Sequence, residues 1–94
     1  METRERVAGK NHIVREYRGV RTPFQYVENG LIVCQIPADV KRVSFEFYLQ
    51  FGRGKLYLIN ERGEHIRKAK EFSIETLAKI EEEYELALEA EKNQ

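Results

Sequence analysis

Residues 43–51, Val-Ser-Phe-Glu-Phe-Tyr-Leu-Gln-Phe, alternate apolar and polar side chains without a break. A period of two has one regular solution, an extended strand. It places Val43, Phe45, Phe47, Leu49 and Phe51 on one face and Ser44, Glu46, Tyr48 and Gln50 on the other. A helix would scatter the same residues around its circumference. The chain must therefore build a sheet with one buried face, and the remaining segments must pair with that strand and cover it.

The next segments supply the partners. Gly52-Arg53-Gly54-Lys55 reads as a turn leading into a second strand through Asn60. To keep Leu56 and Leu58 inside, the expected pairing sets Leu49 opposite Leu58 and Phe51 opposite Leu56. Gln50 then faces Tyr57, and Tyr48 faces Ile59, on the outer surface. Asn60-Glu61-Arg62-Gly63-Glu64 suits a turn closed by Gly63 in the left-handed region, which brings Ile66 opposite Leu58. Residues 43–69 are thus expected to form a three-stranded meander.

Upstream, Asn29-Gly30 between two apolar runs is the preferred dipeptide of a two-residue hairpin turn. It predicts a hairpin over 24–36 with Val27 opposite Ile32, Tyr26 opposite Val33 and Gln25 opposite Cys34. Apolar groups then lie on both faces, so the hairpin is expected to be covered on both sides or central in a curled sheet. Residues 12–20 alternate weakly as a first strand, Pro23 keeps Thr22 extended, and 37–42 read as a turn. Residues 1–11 are polar and are expected as a flexible arm.

The last segment changes period. Ile74, Leu77, Ile80, Tyr84 and Leu88 make one helical stripe, Ser73 is an N-cap, and Phe72 with Leu77 has the spacing of a hydrophobic staple. The expected fold is α+β: a curled antiparallel sheet or small open barrel of about five to six strands, followed by one helix over about 74–90.

Ninety-four residues, 41% hydrophobic, are read as one small domain spanning 1–94. A single cysteine forms no internal disulfide, no apolar run is long enough to span a membrane, and the charged start lacks a signal-peptide core. A soluble, cytoplasmic protein is expected. The net charge of zero hides an asymmetry. Residues 41–70 hold eight basic and three acidic side chains, whereas 71–94 hold two basic and eight acidic ones. A basic body with an acidic final segment needs a functional explanation.

Catalytic and metal chemistry find little support. Cys34 sits in an apolar strand, and His12 and His65 lack the spacing of a zinc site, so no catalytic residue, metal or cofactor is assigned. Gly52–Lys55 is not a phosphate loop, because it joins two strands and Leu56 stands where Ser or Thr is required. Arg53-Gly54 and Tyr57-Leu58 agree in part with the RNA-recognition consensus. Lys55 and Asn60 replace its aromatics, and the required two-helix order is missing, so that fold is excluded.

What remains is a pattern of cations beside aromatics on the outer face. Arg53, Lys55, Arg67 and Lys68 are expected to meet phosphate, with Tyr48 and Tyr57 as stacking surface. The same residues would equally serve as a solvated turn and a charge partner for the helix. A non-catalytic module contacting nucleic acid is the first expectation, with an affinity that falls steeply with salt. The alternative is a protein-interaction module, a small regulator or inhibitor of a partner protein, using Glu81, Glu82 and Glu85 of the acidic helix or the basic sheet. A third is a self-assembling subunit, a homo-oligomer joined through the helix or a sheet edge.

Overall fold

The computed structural model describes residues 2–9, 11–19, 23–66 and 69–93. The strands are β1 (Glu2–Gly9), β2 (His12–Arg18), β3 (Phe24–Glu28), β4 (Leu31–Ile36), β5 (Arg42–Tyr48), β6 (Arg53–Ile59) and β7 (Lys70–Ser73), followed by helix α1 (Ile74–Lys92). All pairings are antiparallel. One sheet has the order β1-β2-β5-β6-β7, and β3-β4 form a separate two-stranded sheet. The hairpin is thus inserted between two strands that are neighbours in the large sheet. The fold is α+β, and the described residues form seven strands in open sheets, with no closed barrel among them, where five to six strands were expected.

The additional strand is β1. The segment read as a flexible arm pairs along β2 from Glu2↔Arg18 to Gly9↔His12. Its polar sequence concealed it, because an edge strand is held by backbone hydrogen bonds and needs no apolar alternation. Charges along it blunt an otherwise exposed edge, and Glu5 meets Arg15 at 2.9 Å.

The β5–β6 hairpin keeps the expected faces but not the expected register. Val43 pairs with Leu58, Phe45 with Leu56, Phe47 with Gly54 and Tyr48 with Arg53. Leu58 therefore opposes Val43 instead of Leu49, and Tyr57 opposes Ser44 instead of Gln50. The displacement is an even number of residues, so the side chains within the paired strands stay on their predicted sides. The turn is Leu49–Gly52, not Gly52–Lys55. Leu49–Phe51 form one 3-10 turn closed by Gly52 at φ 62°, whose N–H donates to the Leu49 carbonyl at 3.3 Å. A left-handed residue at that point favours glycine. Leu49 and Phe51, expected inside, are 44% and 68% exposed. Alternation gives the face of a strand and not its end, so it ran on into the turn.

Gly54 has a different task. It lies in β6 under the helix, where an added Cβ would fall 2.6 Å from the Glu46 carbonyl oxygen and collide with Leu77 Cδ2. Only a residue without a side chain lets α1 come this close to the sheet.

The first hairpin begins as predicted. Asn29 and Gly30 have φ of 53° and 77°, and Glu28 pairs with Leu31 and Val27 with Ile32. The register then shifts, so Tyr26 faces Cys34 and Gln25 faces Gln35 instead of the expected Val33 and Cys34. The bulge gathers Phe24, Cys34 and Ile36 on the buried side. Val27, Leu31 and Ile32 stay exposed, so the hairpin is covered on one face only.

The third strand of the meander is broken. His65 bridges Ile59, and Ile66 N–H donates to the Leu58 carbonyl, as the expected register requires. Pairing resumes two residues out of step, with Leu56↔Lys70 to Arg53↔Ser73. Arg67 and Lys68, between these segments, lie outside the described residues.

Helix α1 starts as predicted, with the Ser73 side chain accepting from the Thr76 N–H. Leu77, Ile80, Tyr84 and Leu88 are buried against Tyr17, Phe45, Leu56 and Phe24 in one cluster. Phe24 and Tyr84 meet edge to face at 5.1 Å. Helix and hairpin together cover the inner face of the five-stranded sheet. Replacing Gly54 with Ala is expected to destabilise the fold by about 1–3 kcal/mol through overpacking. Gly9→Ala, where a Cβ would meet nothing nearer than 3.9 Å, is expected to change stability by less than about 0.5 kcal/mol. Urea denaturation of the two variants checks both, and an unchanged midpoint for Gly54→Ala would contradict the helix position.

Candidate nucleic-acid interface

The outer face of the large sheet can be read as cross-strand rows, because paired residues project to the same side. One row is His12, Tyr48, Arg53 and Ser73, and the next is Val14, Glu46, Lys55 and Glu71. Then come Arg4, Glu16, Ser44 and Tyr57, and finally Arg18, Arg42 and Ile59, with His65 bridged to Ile59. The helix and hairpin lie on the opposite side. Among the described side chains this face presents five basic groups (Arg4, Arg18, Arg42, Arg53, Lys55) and three acidic ones (Glu16, Glu46, Glu71).

Two recesses mark the face. The larger, about 520 Å³, is bordered by Arg4, Arg18 and Arg42, by Glu16 and Glu46, and by Tyr57 and His65. Its floor is Val14, Ser44 and Ile59, all buried beneath their longer neighbours. The smaller, about 320 Å³, is bordered by Tyr48, Phe51, Arg53, Lys55 and Glu71. The sequence-predicted Tyr48, Arg53 and Lys55 are therefore brought together, and Tyr57 stands about four residues further along the sheet. Arg67 and Lys68 belong to the undescribed segment and are not placed.

The side chains are organised by hydrogen bonds. Glu46 accepts from the Tyr48 hydroxyl and lies 3.0 Å from His12 Nε2. The His12 and Tyr48 rings stack, with centroids 4.6 Å apart and planes 15° from parallel. Tyr57 meets His65 at 5.1 Å. Burial, and then the Glu46 charge, push the Tyr57 hydroxyl above its ordinary value, so it stays a neutral donor. Glu16 holds Arg18 at 3.2 Å and Arg42 at 3.5 Å, and Glu71 holds Arg53 at 2.6 Å. The surface is thus a mixed-charge, aromatic-bearing one, not a uniformly basic patch.

Several of these groupings were not visible in the sequence. Phe51 was read as core, and Arg18 and Arg42 become neighbours only because the hairpin loops out between β2 and β5. His12 reaches Glu46 by the same long-range pairing. Local patterning carries no signal for any of these contacts.

The acidic alternative divides. Glu81 is 4% exposed and held by Arg15 at 2.5 Å, with the Tyr17 hydroxyl at 3.3 Å. Its carboxylate is buried between α1 and β2. Glu85 accepts from the Tyr17 hydroxyl. Glu82 is exposed on the helix. Among the described residues no cluster of His, Cys, Asp and Glu could hold a metal. Burial pushes the Cys34 thiol up to about 11, which makes it unreactive at neutral pH. Among the described residues no helix is long and apolar enough to cross a membrane.

Comparison with protein-family models, with curated proteins and with solved structures gives no match. Function must therefore be argued from the surface itself.

The buried network makes a pH-dependent prediction. Burial raises the Glu81 carboxyl above its ordinary value and Glu85 adds to the rise, while Arg15 only partly opposes it. The folded chain thus holds this proton more tightly than the unfolded one. The associated stability is present below the ordinary value of 4.5 and is lost as pH rises through the raised one. Glu81→Gln should flatten that fall, measured by denaturation between about pH 4 and pH 8. Arg15→Ala should instead cost about 2 kcal/mol at neutral pH, because it strands the buried carboxylate while Arg15 itself is partly solvated.

Proposed function

We propose that this chain is a small non-catalytic binding module whose open sheet face contacts nucleic acid. One observation carries the reading: the acidic helix packs on the inner face, so the cations and aromatics of the outer face are not consumed by it. Arg53 and Lys55 flank Tyr48 and Phe51 in one recess, while Arg18 and Arg42 flank Tyr57 and His65 in the other. Cations lining the same recesses as aromatic rings suit a polyanion that also carries flat bases.

A second reading has its own support. Leu31 and Ile32 are 71% and 58% exposed at the end of the first hairpin, and Glu82 lies at the surface of α1. This side would suit a protein partner, and the two readings use opposite faces of the molecule. Substitutions can therefore separate them.

The Arg53→Ala/Lys55→Ala double variant is expected to weaken nucleic-acid binding at low salt at least about fivefold. It should also reduce the salt slope by about one. Glu82→Lys should leave that binding intact. Fluorescence anisotropy with labelled oligonucleotides measures both. Binding that is absent at low salt, or indifferent to the double variant, would overturn the reading.

A further inference from the structure

We infer that the ligand of the open face is single-stranded nucleic acid, held chiefly by base stacking on two aromatic platforms with a footprint of about four nucleotides. The inference rests on the nucleic-acid reading above and adds to it the state of the strand and the source of the affinity.

The first platform stands at the β5–β6 turn. Tyr48 is backed by the His12 ring, stacked at 4.6 Å. Phe51 borders the same recess as Arg53 and Lys55, with 68% of its surface in water. Phe51 takes no part in the core cluster. A large aromatic ring left exposed beside cations offers a flat base a stacking surface.

The second platform is Tyr57 with His65 against it. Tyr57 pairs with Ser44, and Ser44 lies four residues from Tyr48 along β5. At ~3.4 Å per residue the platforms are about 14 Å apart. A stacked strand rises ~3.4 Å per nucleotide, so about four bases bridge that distance.

The charge pattern selects against a duplex. Arg53, Arg18 and Arg42 are each within 3.5 Å of a carboxylate on the same face. Glu16, Glu46 and Glu71 would repel a rigid surface made of phosphates, and a duplex keeps its bases from the rings. A single strand can steer its phosphates to the arginines and turn its bases onto the platforms. Among the described side chains this face carries about two net positive charges, so counter-ion release is small. The salt slope for a single strand should then be near −1.5, against about −3.5 if all five described cations were engaged.

The test is fluorescence anisotropy on the full chain with a labelled single strand of about eight nucleotides. It is made with ribose and with deoxyribose, alongside the duplex of the same sequence. Single strands of either sugar should bind at least about tenfold tighter than the duplex, with a slope no steeper than about −2. Phe51→Ala, at an exposed turn position, should weaken single-strand binding about tenfold while the melting temperature is unchanged. Tyr57→Ala should do the same at the second platform. Equal or tighter duplex binding, a slope near −3.5, or indifference to Phe51→Ala would overturn stacking recognition while the broader reading survives. No binding of strand or duplex at low salt would overturn both.

Discussion

The architecture turns on the contact between Leu77 and the backbone of β6 at Gly54. The missing side chain there lets the helix lie against the sheet, so Leu77, Ile80, Tyr84 and Leu88 can share a core with Phe45, Leu56 and Leu58. Protein interiors are close-packed, and a methyl group at this point would displace the helix or the strand. The hairpin β3–β4 then fills the space beside the helix, with Phe24 edge-on to Tyr84. Once both elements sit on the inner side, nothing in α1 or the hairpin reaches the outer side. The open face is therefore a consequence of how the core is closed.

The polar contacts reinforce that choice of side. Arg15 and Tyr17 lie on the inner face of β2 and meet Glu81 and Glu85 of the helix. Burial works against the Arg15 charge, but Glu5 and Glu81 outweigh it and raise its pKa. The guanidinium also lies 5.4 Å over the Phe47 ring. A buried carboxylate tolerates only the arrangement that brings it this partner, so the network adds specificity for one placement of α1 on β2. It also spends part of the acidic charge of the final segment inside the molecule. Glu71 holds Arg53 on the open face, while the remaining glutamates of the helix face solvent on the side away from the arginines and tyrosines of the open sheet.

Much of this was legible in the sequence, and the parts that were not have a common cause. The alternation of 43–51, the Asn29-Gly30 turn, the Ser73 cap and the stripe from Ile74 to Leu88 are local signals, and each marks a real element. Misjudged features depended on partners distant in sequence. The register of β6 was set by the need to place Gly54 beneath Leu77, which no local pattern announces. Strand β1 is defined by its pairing with β2, and Phe51 is at the surface because the turn came three residues early. For the candidate interface, Tyr48, Arg53 and Lys55 could be grouped from one hairpin. Arg18, Arg42 and His12 could not, since their neighbours come from strands separated by an inserted hairpin.

By itself the sequence determined the types of element, the faces of the central strands and the segregation of acid into the final helix, because side-chain periodicity and capping act within a few residues. Only the tertiary structure decided which side of the sheet the helix covers, and therefore which charged residues pair off and which remain on an open surface. That choice depends on packing volume at Gly54 and on the burial of Glu81 against Arg15. Both are properties of contacts between residues more than 20 positions apart.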